Sequence, residues 1–108
     1  MSERTARIRM PDTAAPDAEI EIRARLMHPM ESGRRTDSAG ARVPRDMLGR
    51  FICRFDGETV IEMELGAGVS ADPFMQFAVR VPRSGAFSFL WVGDDGSVVS
   101  ETRNITVT

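Results

Sequence analysis

The segment RFICRFDGETVIEMEL, residues 50–65, has the pattern of a β-hairpin and indicates the fold class of the whole chain. Asp56 and Gly57 separate two runs rich in aromatic and β-branched residues, and both residue types tolerate the positive φ angles of a tight hairpin turn. In the first run, Cys53 shares one face with the phenylalanines two positions before and after it. We therefore expect two antiparallel strands, with this aromatic face buried in a core.

Alternating polar and apolar residues predict further strands on both sides of the hairpin. Residues 19–26 alternate without a break, which is typical of a half-buried strand whose polar face is solvated or forms a cross-strand ion ladder. Phe87, Phe89 and Trp91 repeat the pattern nearer the C-terminus. Turn signals of Pro, Gly and Asp separate the expected strands, which cover residues 7–10, 19–26, 50–55, 58–65, 74–81, 86–92 and 97–107.

Helical signals are nearly absent, and one short turn over residues 45–48 is the only helix we expect. About seven short strands with turns between them predict an all-β chain that folds as an immunoglobulin-like β-sandwich. The length of 108 residues fits a single domain over residues 1–108. A chain with one cysteine has no internal disulfide, and many sandwiches lack one.

Composition and charge exclude several classes of function. All 14 basic residues are arginines, so lysine-based catalysis is impossible, and 16 acidic residues give a net charge of −2. A general nucleic-acid binder needs a basic excess to neutralise phosphates, so this class is not expected. No stretch approaches the roughly 20 apolar residues that span a bilayer. Residues 1–54 carry a net charge of +3 and residues 55–108 a net charge of −5. This asymmetry is either ordinary solvated surface charge or a means of orienting a binding partner electrostatically.

The single cysteine and the single histidine are the only candidates for nucleophilic or metal chemistry. Cys53 is in phase with the aromatic face, so we expect a buried, unreactive thiol; a nucleophilic role would need His28 as its base. His28 follows an alternating strand and precedes Pro29, and we expect a structural histidine. One His and one Cys do not make the usual four-ligand zinc site. We therefore predict no catalytic, cofactor or metal site.

A long irregular connection over residues 28–44 is the most distinctive non-strand feature. Connections of this length are uncommon in small domains and are often functional. Its arginines could bind an oxyanion or an acidic partner, or could simply be solvated, and they are Arg34, Arg35, Arg42 and the adjacent Arg45. The sequence DDGS at residues 94–97 predicts an Asp-Gly turn, because the further ligands of a calcium loop are missing.

Several runs, taken together, resemble the SoxZ family of sulfur-oxidation proteins. The most distinctive are HPMESGRR at residues 28–35, VPRD at residues 43–46 and VSADPF at residues 69–74. Shorter matching runs are RIR at residues 7–9, RF at residues 50–51 with Cys53, and FLW at residues 89–91 leading to DDGS. Their order and spacing match over about residues 7–107, and the combination is specific although no single run is.

This resemblance implies a fold, a partner and a location. SoxZ proteins are immunoglobulin-like and pair with SoxY, whose cysteine in a flexible glycine-rich tail holds sulfur intermediates during thiosulfate oxidation. They carry no signal peptide and reach the periplasm bound to SoxY, which fits the lack of an apolar core in residues 1–7. Without the resemblance, a cytoplasmic protein would be the plain expectation. Residues 104–108 contain no cysteine or glycine, so a carrier tail is not expected here.

The sequence therefore predicts a non-catalytic partner subunit that binds and presents a SoxY-type carrier chain and docks transiently with periplasmic Sox enzymes. Alternatives are a self-associating immunoglobulin-like module, a related carrier subunit linked to a quinoprotein dehydrogenase, or a catalytic sulfur-transfer protein that uses Cys53. No cofactor, nucleic acid or membrane is expected as a partner. The irregular, non-core residues expected to contact partners are His28, Pro29, Met30, Glu31, Arg34, Arg35, Pro44, Arg45, Asp46, Asp72, Pro73 and Phe74.

Overall fold

The computed structural model of this chain describes residues 5–66 and 68–108 and contains only strands, turns and loops there. The strands are β1 (Ala6–Arg9), β2 (Thr13–Ala14), β3 (Ala18–Leu26), β4 (Leu48–Phe55), β5 (Glu58–Glu64), β6 (Phe74–Val81), β7 (Gly85–Gly93) and β8 (Val98–Val107). Each expected strand has a counterpart, and the two-residue β2 is the one that the sequence did not predict. No helix among the described residues is long and apolar enough to cross a membrane. Residues 1–4, which enter the expectation about the signal peptide, lie outside the described residues.

Two sheets form a β-sandwich, which confirms the predicted fold class. The small sheet has the order β1-β3-β6, and the large sheet has the order β2-β8-β7-β4-β5. All pairs are antiparallel except β2 with β8, which is parallel. The apolar faces of both sheets meet in one core, whose largest fully buried side chains are Trp91, Phe51, Phe87, Phe89, Ile22, Leu26, Ile105, Val81 and Cys53.

The hairpin at β4 and β5 forms as predicted, with one irregularity in its register. Asp56 and Gly57 have φ angles of 48° and 88°, the positive values that the turn requires. Cys53 is opposite Ile61, whereas the next residue of β4 is opposite Thr59, so Val60 is an extra residue on β5. This β-bulge turns Val60 outward and leaves Ile61 packed against the core.

The long connection between β3 and β4 folds back on itself. Glu31 and Asp46 exchange both backbone hydrogen bonds, each with an N–O distance of 2.8 Å, and Thr36 bridges Arg42 further out. The expected helical turn over residues 45–48 is wrong, because the backbone of Asp46 is paired with Glu31 and Leu48 already begins β4. The connection thus returns to the sandwich as a narrow irregular hairpin.

Candidate functional site

His28 lies at the centre of one end of the sandwich and joins the two ends of the long connection. The period of β3 directs it inward after Leu26, and only 5% of its surface is exposed. Its Nδ1 accepts a hydrogen bond from the Met30 N–H at 3.0 Å, and its Nε2 lies 3.2 Å from Asp46 Oδ1. Because Nδ1 is an acceptor, this pattern assigns the ring proton to Nε2, which donates to the Asp46 carboxylate. His28, which we expected to be a structural histidine, thus connects Met30 and Asp46 at the two ends of the long connection.

The backbone of His28 also holds the loop that precedes β6. Its N–H donates to Asp72 Oδ1 at 2.8 Å, and the Asp72 N–H donates back to the His28 carbonyl at 2.7 Å. The Leu26 N–H donates to the Pro73 carbonyl at 3.3 Å. We call the surface formed by residues 27–47, 66, 68–73 and 94–97 the His28 end, since His28 connects its largest loops.

Two residues that form hydrogen bonds with His28 have backbone φ angles in the left-handed region of the Ramachandran plot. Met30 has a φ of 51° and Asp72 a φ of 55°, values that non-glycine residues seldom adopt. Such conformations cost about 1–3 kcal/mol each and persist where neighbouring contacts fix them, often at functional sites. Gly33 has a φ of 87° and packs so closely that an added Cβ would lie 3.1 Å from the Cβ of Arg45. The His28 end is thus a constrained surface.

The arginines of this end divide into two kinds. Arg35 forms a forked pair with Glu31, at 2.6 Å and 3.2 Å, and this hydrogen bond lowers the pKa of Glu31 and raises that of Arg35. Arg45 donates to Asp94 Oδ2 at 2.7 Å. Within residues 5–66 and 68–108, no carboxylate lies within 4.0 Å of the guanidinium groups of Arg34 and Arg42. Among the described residues, the predicted basic loop therefore keeps two arginines without a carboxylate partner, Arg34 and Arg42.

The twelve residues expected at an interface all belong to the His28 end or border it. Six are buried or half-buried and hold the loops in place: His28, Met30, Glu31, Asp46, Asp72 and Pro73. Six are exposed and form the outer surface: Pro29, Arg34, Arg35, Pro44, Arg45 and Phe74. The role of Asp94 as the partner of Arg45 was missed, because the two residues are 49 positions apart and no local pattern connects them.

Cys53 lies in the middle of β4 and is fully buried, as its phase with the aromatic residues predicts. Burial raises the pKa of its thiol from 9.0 to about 12. Because thiolates are the reactive form, this side chain is inert at neutral pH. No group of three or more His, Cys, Asp or Glu side chains that could hold a metal occurs in the described part of the chain.

Thiol labelling tests the state of Cys53. A chromogenic disulfide reagent at pH 8 should leave the native chain unmodified for hours and label it at once in denaturant. The raised pKa also means that the unfolded thiol ionises first, so stability should fall as the pH rises from about 9 to about 12. In the Cys53→Ala variant, the free energy of unfolding should no longer show this fall at high pH. Rapid stoichiometric labelling of the native fold would show an accessible thiol.

These features define an immunoglobulin-like β-sandwich domain with a constrained loop end and a buried thiol. The chain belongs to the SoxZ family, because the family described as "Sulphur oxidation protein SoxZ" matches residues 8–104, nearly the whole chain. No curated protein sequence matches it.

Solved structures share the fold at low sequence identity. The superoxide reductase (neelaredoxin) from Ignicoccus hospitalis has a TM-score of 0.72 and 17% identity, over 96% of this chain and 80% of that chain. The sulfur carrier protein SoxY from Chlorobium limicola f thiosulfatophilum has a TM-score of 0.67 and 10% identity, over 94% of this chain and 74% of that chain. The CARDB domain of PF1109 from Pyrococcus furiosus has a TM-score of 0.52 and 10% identity, over 97% of this chain and 95% of that chain. At these identities the likeness concerns the fold.

Proposed function

We propose that this chain is the non-catalytic partner subunit of a SoxYZ carrier complex, which binds and presents a SoxY-type chain that holds covalent sulfur intermediates. The observation that carries this proposal is the burial of Cys53 with its pKa raised to about 12. Covalent sulfur carriage needs an accessible thiolate, and this chain has one cysteine only. In a sulfur-oxidation family, such a chain serves a carrier thiol that lies on another subunit.

The His28 end is the surface that we assign to this partner. Its loops are fixed by His28 before binding, so little conformational entropy is lost when a partner docks. It offers the guanidinium of Arg34, which has no carboxylate within 4.0 Å in the described part of the chain, and, at its border, the Phe74 ring, which is 47% exposed. Arginine and aromatic side chains contribute most of the energy at many interfaces. The partner surface is therefore expected to present carboxylates beside an apolar patch.

The proposal includes a location and further contacts. The complex works in the periplasm, and this chain is exported while bound to a partner that carries the signal peptide. Periplasmic Sox enzymes dock on the complex transiently, to reach the carrier thiol. The family match supports a role in sulfur oxidation, and SoxY shares the fold of this chain.

Titration of the purified chain with the SoxY-type chain of the same organism tests the proposal. Calorimetry should show one-to-one association, and size-exclusion chromatography should show one peak that contains both chains, as a heterodimer or a higher assembly of heterodimers. A Cys53→Ala chain should bind equally well, because the buried thiol takes no part. Absence of association, with formation of homodimers or larger assemblies of this chain, would contradict the proposal and favour a self-associating module.

A further inference from the structure

The outward face of the small sheet carries four arginines in two like-charge pairs. In the register of β1 and β3, Arg7 lies opposite Arg25 and Arg9 lies opposite Arg23. Like charges directly opposite one another destabilise a sheet. At the other end of β3, Glu19 lies opposite Arg80, so the same face also has a matched pair. We call Arg7, Arg9, Arg23 and Arg25 the arginine square.

Internal acids compensate the arginine square only in part. Arg23 Nε lies 2.9 Å from Glu21 Oε1. Within the described ranges 5–66 and 68–108, no carboxylate lies within 4.0 Å of the guanidinium groups of the other three. Counting only carboxylates of residues 5–66 and 68–108, about three of these positive charges have no partner, on a chain whose net charge is −2. This arrangement costs stability in the free chain and favours an anion on this face.

Neighbouring side chains hold the arginines of β3 in position. The guanidinium carbon of Arg25 lies 5.2 Å from the centroid of the Phe74 ring, in a cation–π contact. The ion pair with Glu21 restrains Arg23. The four arginines and Phe74 line a concavity of about 280 Å³. Facing residues are about 5 Å apart across strands and about 7 Å apart along a strand, so the four side chains start within one small area of the sheet.

We propose that the arginine square binds a doubly charged tetrahedral oxyanion of the sulfate and thiosulfate class. Guanidinium groups recognise such ions by forked, charge-assisted hydrogen bonds. The concavity of about 280 Å³ has room for an ion of this size. The clustered positive charges of the arginine square favour a doubly charged anion, whatever its chemical identity. The choice of sulfur oxyanions rests on the proposed function, since these are the ions that a sulfur-oxidation complex handles.

Calorimetric titration with sodium thiosulfate tests this site, with sodium chloride at matched ionic strength as the reference. The test variant is Arg9→Gln with Arg23→Gln, which removes one like-charge pair and leaves the contact of Arg25 with Phe74. The matched control is Arg50→Gln with Arg80→Gln, which removes two exposed charges outside the square. The natural chain and the control should bind thiosulfate saturably, and the test variant should bind at least about tenfold more weakly.

Thermal unfolding adds a second readout. Without ligand, the test variant should melt close to the natural chain, because the loss of the like-charge pair offsets the loss of the exposed ion pair between Arg23 and Glu21. Thiosulfate should raise the melting temperature of the natural chain and of the control, but not that of the test variant. Thiosulfate binding no tighter than chloride binding, or equal binding by the test variant, would overturn the site.

Carrier-chain binding separates this inference from the proposed function. The test variant should keep its affinity for the SoxY-type chain. If it loses that affinity and the natural chain does not bind thiosulfate, the face is a protein-docking surface; the oxyanion site is then wrong and the proposed function stands. If the natural chain binds thiosulfate but no carrier chain, the proposed function fails and the dianion site stands.

Discussion

Replacing His28 with leucine is expected to lower the free energy of unfolding by about 2 kcal/mol and the melting temperature by roughly 10 °C. Leucine fills a similar volume but offers no hydrogen bond, so the Met30 N–H loses its acceptor and Asp46 loses the Nε2 donor. The left-handed backbone of Met30 then lacks one of the contacts that fix it. We also expect weaker carrier-chain binding, because the loops of the His28 end are no longer held in one arrangement.

Two matched variants separate the two contacts of the ring. Asparagine at position 28 places an oxygen near the Nδ1 position, so His28→Asn should keep the Met30 bond and lose the Asp46 contact. Glutamine places a polar atom near the Nε2 position, so His28→Gln should do the reverse. In urea titrations, the unfolding midpoints of both variants should lie between those of the natural chain and the leucine variant. A leucine variant as stable as the natural chain would show that the bridge contributes nothing.

Reversing the charges of Arg34 and Arg35 to glutamate is expected to weaken carrier-chain binding by about a hundredfold. Arg34 has no carboxylate within 4.0 Å among the described residues, so its charge is available to a partner. Arg35 already pairs with Glu31, and its reversal places a second acid beside that one. Both arginines are exposed, so the melting temperature should change by no more than about 5 °C.

The control for this experiment is Arg50→Glu with Arg80→Glu. Arg50 lies near Glu62 and Arg80 opposite Glu19, so this control also sets acids beside existing acids, at positions that are not part of the His28 end. Its carrier-chain affinity, measured by calorimetry, should stay within about threefold of the natural value. The single variant Arg34→Glu should account for most of the loss, because Glu31 already neutralises Arg35, whereas no carboxylate of the described residues neutralises Arg34. Unchanged affinity in the double variant would exclude this loop from the interface.

Local periodicity predicted the strands and the core, since these depend on near neighbours in the chain. The alternation of residues 19–26 predicted β3, and the Asp-Gly pair predicted the turn after β4. The phase of Cys53 with its aromatic neighbours predicted that it is buried. The bulge at Val60 was not predictable, because it shifts the register without changing the residue pattern. The two-residue β2 is likewise too short to leave a period in the sequence.

The arrangement of the functional surface depended on contacts that sequence spacing does not reveal. The long connection was predicted to be functional, but the bridge from His28 to Asp46 and the pair of Arg45 with Asp94 require the folded chain. The same is true of the arginine square. The arginines of β3 were interpreted as a solvated face or an ion ladder, and only the strand register shows that they face other arginines.

Capture of the tagged chain from a periplasmic extract of the source organism, followed by intact-mass analysis, tests the central claim most directly. The account predicts recovery of one small carrier protein at a ratio near one to one. Its cysteine-bearing, glycine-rich tail should carry sulfur adducts, and the mass of this chain should be unmodified. Recovery of this chain alone or only with itself, or sulfur adducts on Cys53, would contradict the account.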